Sequence, residues 1–336
     1  MSEEHSIIDQ SLAVCNMYYK TGQRERGDEL WTQLQSACPQ HHIIKSGIAS
    51  DLAFFGTFWR GQNLDGKSIE IFCDQGMGDI INMLRYLELM KREWPYSKII
   101  LNCYGHYDCL KRLFDHIPYV DHFVKHHCVC DFFSNIFSIP TIVSGIKLDV
   151  PYPAHFKLLL EKGIPTYTPL PIGPAKRKMS VGIAWESNVN NELAKIKSMS
   201  LDMVERLVDP RWDLYSLLPG TFGVDFLKES HLQDLYDTAT IISLMDVVVS
   251  VDTAVLHLAG AMNKKTCALL VSNADPRWGD RGRRTSTPWY PTMTLTRQRD
   301  FGDWTHPLKE AKQELDLFYR RMDEIGFFFE TGALHG

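Results

Sequence analysis

The sequence predicts an α/β protein of two parallel-sheet domains with a short helical hairpin in front. Three observations predict it. Two stretches, residues 68–90 and 247–262, each run from an apolar strand through a tight loop into an amphipathic helix. Between them lies Pro-Thr-Tyr-Thr-Pro-Leu-Pro-Ile-Gly-Pro at 165–174, with four prolines in ten residues. Such a stretch reads as an extended linker. The chain, at 336 residues, exceeds what one ordinary core holds.

Residues 6–38 read as two short helices. Ile8, Leu12, Cys15 and Tyr19 share one helical face, Thr21-Gly22-Gln23 forms a turn, and Leu30, Trp31 and Leu34 make the second stripe before Pro39. The positions of Tyr18, Gly22, Trp31 and Pro39 resemble one tetratricopeptide repeat. A single repeat cannot bury its own face, so the hairpin is expected to cover part of a larger domain.

The first α/β unit opens with the strand Ser68–Cys73 and the loop Asp74-Gln75-Gly76-Met77-Gly78-Asp79. Ile80, Ile81, Met83, Leu84, Leu87 and Met90 follow at helical spacing. Gly76 and Gly78 allow close backbone approach to a ligand. Ile81 stands where a dinucleotide fingerprint needs its third glycine, and no Gly-Lys-Ser/Thr follows, so neither NAD binding nor a P-loop is expected. Asp79 sits at the helix start, either as a first-turn acid that complements the dipole or as a general base at the mouth of a cleft. Further strands are expected at Lys98–Asn102, Val120–Val124 and Ile142–Val143.

The second unit begins with Met179–Trp185 and continues through a polar loop, Glu186–Asn191, to Ala194-Lys195-Ile196-Lys197-Ser198. Asp213–Leu218 reads as a strand and Thr238–Leu244 as a helix. Val247–Val251 is a strand, Ala254–Met262 a helix behind Asp252-Thr253, and Thr266–Val271 the next strand. This βαβ unit puts Asp252, Thr253 and His257 at the carboxyl ends of strands, where open α/β sheets bind ligands. Free N–H groups at the helix start suit a diphosphate. A simple helix cap and a packed histidine are the plainer readings of the same residues.

Composition narrows the partners. The net charge is −5, with 36 Lys+Arg against 41 Asp+Glu and no basic tail, so non-specific nucleic-acid binding is disfavoured. No segment holds 18 consecutive apolar residues, and acids occupy the opening positions where a signal peptide carries bases. The expectation is a soluble, cytoplasmic protein whose eight cysteines are free thiols. In His126-His127-Cys128-Val129-Cys130 a metal site is conceivable, but a second ligand pair at a standard spacing is missing, so none is expected.

Taken together these residues resemble bacterial glycosyltransferases of family 9, in their tetratricopeptide-associated branch, relatives of the lipopolysaccharide heptosyltransferases. The resemblance runs from about residue 10 to 315. It rests on residues 58–67 (Phe-Trp-Arg-Gly-Gln-Asn-Leu-Asp-Gly-Lys), the 74–79 loop with Arg85-Tyr86 behind it, and Asp237-Thr238-Ala239. Further along it rests on residues 250–254, His257–Ala261, 287–291 and Gly302-Asp303-Trp304.

The resemblance implies a GT-B fold, two Rossmann-like domains facing a cleft. Its expected division is a hairpin at 1–50, an acceptor domain at 51–170 and a nucleotide-sugar domain at 171–306. A terminal helix at 307–336 is expected to cross back to the acceptor domain. The implied reaction is inverting and metal-independent, with a nucleotide-diphosphate sugar as co-substrate and a hydroxyl acceptor. A glycan such as a lipopolysaccharide core is favoured. By position, Asp79 would be the base, Lys197 a phosphate contact, Thr253, Ala254 and His257 the diphosphate site, and Asp252 a partner of sugar hydroxyls. The chain departs from the family at Glu186-Ser187, at 194–198, where lysines replace an Asp-Arg-x-Arg-Ser pattern, and at 275–284. In that last stretch Arg277 and Arg281 are candidate anion contacts. The alternatives are a non-catalytic assembly protein on the same shell, or a transferase acting on protein or modified DNA bases.

Overall fold

The computed structural model describes residues 57–73, 76–115, 117–139, 177–187, 192–274, 285–287 and 289–325, with single positions 26, 143, 278 and 327. Apart from position 26, the expected hairpin at 6–38 lies outside them, as do Asp74-Gln75, the proline-rich linker, Arg277 and Arg281. The described chain falls into two compact units, one comprising residues 57–143 with positions 26 and 278, the other 177–274 and the residues from 285 onward.

The first unit contains β1 (Thr57–Phe58), β2 (Ser68–Phe72), α1 (Met77–Glu93), β3 (Lys98–Asn102), α2 (Tyr107–Phe114), β4 (His122–Val124) and β5 (Phe132–Asn135). All strand pairs are parallel, in the order β1-β5-β2-β3-β4. β2 pairs on both sides, and four of its five residues are buried. Ile69, Ile71 and Phe72 supply its apolar surface, and Glu70 between them is buried as well. α1 buries Ile80, Ile81, Leu84, Leu87 and Met90. It carries Asp79 in its first turn and Lys91 and Arg92 in its last, charges that suit the helix dipole. Trp94 ends it before Pro95, and its ring meets Trp59 edge-on at 5.4 Å.

Asp131 ties the start of this sheet together. It accepts from the Ser68 N–H at 2.9 Å, from the Ser68 hydroxyl at 2.9 Å and from Lys67 Nζ at 3.2 Å. The Ser68 bonds and then Lys67 hold its carboxyl down at about 2.

Two expectations are corrected here. The third strand of that region is not Ile142–Val143, because Val143 is helical. The strand that joins the sheet is β5, inserted beside β2 after the chain returns from the far edge. β4 also begins at His122 rather than Val120.

The second unit contains β6 (Met179–Ala184), α3 (Glu192–Lys197), α4 (Leu201–Glu205), β7 (Trp212–Ser216), β8 (Leu227–Lys228) and α5 (Leu235–Leu244). They are followed by β9 (Val247–Val251), α6 (Ala254–Ala261), β10 (Thr266–Leu270), β11 (Met293–Arg297) and α7 (Thr305–Glu324). Its six parallel strands run β11-β10-β9-β6-β7-β8. β9 and β10 are buried at every position, matching their β-branched and apolar sequences. α7, the C-terminal helix, packs on β10, β11 and α4 of this same unit. Among the described residues no helix is long and apolar enough to cross a membrane. The described cysteines, Cys73, Cys103, Cys109, Cys128, Cys130 and Cys267, are free thiols.

Gly260, inside α6, is required by a close approach. A Cβ there would stand 2.5 Å from the ring of the fully buried Tyr290. Gly260→Ala is therefore expected to destabilise the protein by about 1–3 kcal/mol through overpacking. Urea denaturation measures this, and an unchanged midpoint would show that the ring moves freely.

Candidate functional site

Each sheet has a point where the strand order reverses. In the second unit it lies between β6 and β9: the chain moves from β6 to β7 and β8, then returns to β9 and continues outward. A crevice opens beyond strand ends at such a place. Trp185 and Glu186 follow β6 there, and Asp252 and Thr253 follow β9.

The local chain explains why the polar groups meet. Met199 N–H donates to the Trp185 carbonyl at 3.0 Å, and Ser187 N–H donates to Ser198 Oγ at 3.0 Å. Trp304 Nε1, just before α7, donates to the Ser198 carbonyl at 3.1 Å. These three bonds pin the end of α3 against the end of β6 and so set the root of Lys197. Its Nζ donates to Asp252 Oδ2 at 2.7 Å. Asp252 is 9% exposed and Lys197 31%. The pair is thus rooted in the fold with its cation reaching solvent.

His257 enters from one turn into α6. It is 3% exposed, its Nε2 lies 3.7 Å from Asp252 Oδ1, and its Nδ1 lies 3.0 Å from the Tyr290 hydroxyl. One carboxylate therefore has a lysine on one oxygen and an imidazole near the other. Thr253 is the N-cap of α6 in extended backbone, but its side chain makes no capping bond. Its hydroxyl lies 3.4 Å from the Ser250 hydroxyl instead. The first-turn N–H groups of α6 are consequently not satisfied by that side chain, and they and the dipole favour an anion.

The sequence-predicted donor residues Lys197, Asp252, Thr253, Ala254 and His257 thus fall at one end of one sheet. Sequence reasoning did not single out Tyr290, which orients His257. A glycine inside an apolar helix was the available signal, since Gly260 exists to admit that ring.

In the first unit the order reverses between β2 and β5. Gly76 is the N-cap of α1, without a side-chain cap, and Gly78 and Asp79 lie in the first turn. The Asp79 carboxylate leans back over the helix start, so that a Cβ on Gly76 would lie 3.3 Å from Oδ2. Asp79 is half-buried.

A second polar cluster lies in the same sheet. Glu70, at the centre of β2, is fully buried and meets Asn102, His127 and Cys128. Burial pushes the Cys128 and Cys130 thiols up, with Glu70's charge adding to the effect, Cys128 far above the ordinary thiol range.

The geometry on its own defines an α/β protein of two parallel-sheet units. Residues 232–301, from just before α5 into the loop before α7, match the family model described as "Glycosyltransferase family 9 (heptosyltransferase)". The second unit thus contains a segment similar to family 9 glycosyltransferases. The chain is 25% identical over 293 residues to Protein FlbA of Caulobacter vibrioides, covering 74% of this chain and 46% of that protein. It thus spans about half the length of the curated relative it matches.

Among solved structures it is similar to a glycosyl transferase family 9 protein from Veillonella parvula, with TM-score 0.49 and 10% identity, over 78% of this chain and 99% of the other. It is also similar to E. coli ADP-heptose lps heptosyltransferase II, with TM-score 0.48 and 11% identity, over 76% and 99%. The E. coli heptosyltransferase WaaC, solved with ADP, gives TM-score 0.49 and 9% identity, over 75% and 99%.

Proposed function

We propose that this chain is a glycosyltransferase that moves a sugar from a nucleotide-diphosphate donor to a hydroxyl acceptor, with inversion and without a metal ion in the transfer step. The observation that supports it best is the convergence of Lys197 and His257 on Asp252 at the uncapped start of α6. That start lies within the family 9 segment.

On this reading the first-turn N–H groups of α6 receive the diphosphate, and Lys197 adds a mobile positive charge as the diphosphate leaves. Lysine has three donors, so it can contact a phosphate while keeping its bond to Asp252. The second Asp252 oxygen is available to a sugar hydroxyl, while Tyr290 keeps His257 from rotating. Asp79 is the general base that takes the proton from the acceptor hydroxyl as it attacks the anomeric carbon. Arg277 and Arg281, outside the described residues, are proposed anion contacts. A glycan such as a lipopolysaccharide core is the proposed acceptor, with the protein acting in the cytoplasm.

Calorimetric titration of the full chain with ADP-, UDP- and GDP-sugars tests the proposal. At least one is expected to bind saturably and to release nucleoside diphosphate when an acceptor glycan is added. Binding to none of them would leave a non-catalytic shell as the better reading.

A further inference from the structure

Glu70 is an anomaly in a buried strand. Among the described residues its one ion-pair partner is His127, whose Nδ1 lies 2.9 Å from Oε1. Asn102 Nδ2 donates to the same oxygen at 2.6 Å. The other oxygen, Oε2, accepts from the Cys128 N–H at 3.0 Å and lies 3.6 Å from Cys128 Sγ. Cys130 Sγ stands 3.4 Å from Cys128 Sγ. One ligand atom from each of Glu70, Cys128 and Cys130 falls within 4.8 Å of the others. A fully buried carboxylate is costly unless strongly compensated, and here Cys128 Sγ stands by its second oxygen with Cys130 Sγ beside that sulfur.

We infer that Glu70, Cys128 and Cys130 form a binding site for one divalent transition ion, zinc in the first instance. The spacing fits tetrahedral coordination. With zinc–sulfur bonds of about 2.3 Å and zinc–oxygen bonds of about 2.0 Å, neighbouring ligands lie about 3.8 Å apart for two sulfurs and about 3.5 Å for sulfur and oxygen. The Cys128–Cys130 and Cys128–Glu70 separations of 3.4 and 3.6 Å need shifts of only tenths of an ångström, and the Glu70–Cys130 pair, within 4.8 Å, closes by movement of the Cys130 side chain. Two thiolates with one carboxylate select zinc over magnesium or calcium. Asn102 and His127 hold the remaining Glu70 oxygen and orient the carboxylate, the usual task of groups behind a metal ligand.

The position gives the ion a structural task. β4 lies at one edge of the sheet and β5 on the far side of β2, so the link between them passes β3 and β2. Residues 125–131 make that passage with no helix or strand of their own. Asp131 holds the end of this link to Ser68 at the start of β2, and the Glu70 cluster holds its middle to the centre of the same strand. An ion bridging Glu70 to Cys128 and Cys130 would fasten the link to the central strand and hold β5 at the point where the strand order reverses. The ion is a staple for the first sheet, separate from the proposed transfer chemistry.

Cobalt reports the site directly, because thiolate coordination gives a charge-transfer absorption. The reduced, metal-freed full chain is titrated with cobalt and then zinc, and zinc is counted by mass spectrometry in protein purified without chelator. The expected result is one equivalent of cobalt with a thiolate band that zinc abolishes, and a zinc-dependent rise in melting temperature. Cys128→Ser and Cys130→Ser should each lose the band, and Glu70→Gln should need at least about ten times more cobalt. No thiolate band in the wild type at saturating cobalt overturns the site, whether or not the serine variants fold. So does a band that persists in a folded Cys128→Ser/Cys130→Ser double variant, since other cysteines would then be the ligands.

Discussion

Asp79→Ala is expected to slow sugar transfer by about 100- to 10,000-fold, the range a positioned general base supplies, while the fold and donor binding persist. The structural cost should be small. Asp79 is a half-buried residue in the first turn of a 17-residue helix whose other face is packed. Removing an acid there costs about 0.3–1 kcal/mol of dipole interaction, against a typical stability of about 5–15 kcal/mol. Asp79→Asn keeps the shape and loses the basicity, so it should be nearly as slow. Initial rates at saturating donor and acceptor, with circular dichroism as the folding control, make the measurement. A folded Asp79→Ala variant with unchanged turnover would remove the assignment.

Lys197→Ala should act on the other half of the reaction. A hydrogen bond between charged groups contributes about 1.5–3 kcal/mol, so affinity for the nucleoside diphosphate should fall by roughly 10- to 150-fold. The same change strips Asp252 of its cation. At 9% exposure that carboxylate loses its lysine partner, leaving His257 at 3.7 Å. A stability loss on the order of 1–3 kcal/mol follows.

The two effects can be separated. Lys197→Met combined with Asp252→Asn removes both charges, so stability should largely return while diphosphate binding stays weak. Such coupling is expected of residues in direct contact. Calorimetry with the nucleoside diphosphate and urea denaturation, run on the two single variants and the pair, give both readouts. Full affinity in Lys197→Ala would move the phosphate site away from α6.

Several elements were legible in the residues because a single periodicity identifies them. α1 shows apolar positions at spacings of three and four, and β9 and β10 are unbroken buried runs. β5 was not legible. Phe132-Phe133-Ser134-Asn135 shows neither alternation nor a turn signal, and it becomes a strand because β2 and β1 flank it. Val143 went the other way: two β-branched residues suggested a strand, and the position is helical.

The site divides in the same manner. Thr253 as the N-cap of α6, and Asp79 in the first turn of α1, are local properties that a strand–loop–helix pattern carries by itself. The Lys197–Asp252 pair spans 55 positions, and the His257–Tyr290 contact spans 33. Glu70 meets Cys128 across 58 positions, so neither half of that cluster reveals the other.

What the amino-acid sequence determined alone was therefore the set of elements whose cause is local: apolar period, turn residues and first-turn charge. It also supplied each chemical group at its strand end or helix start. Only the tertiary structure decided which groups share a carboxylate, which ring a glycine admits and which strand lies beside β2. The physical reason is that chain-distant contacts depend on strand order, and strand order follows from burying both faces of a sheet at once rather than from any one segment.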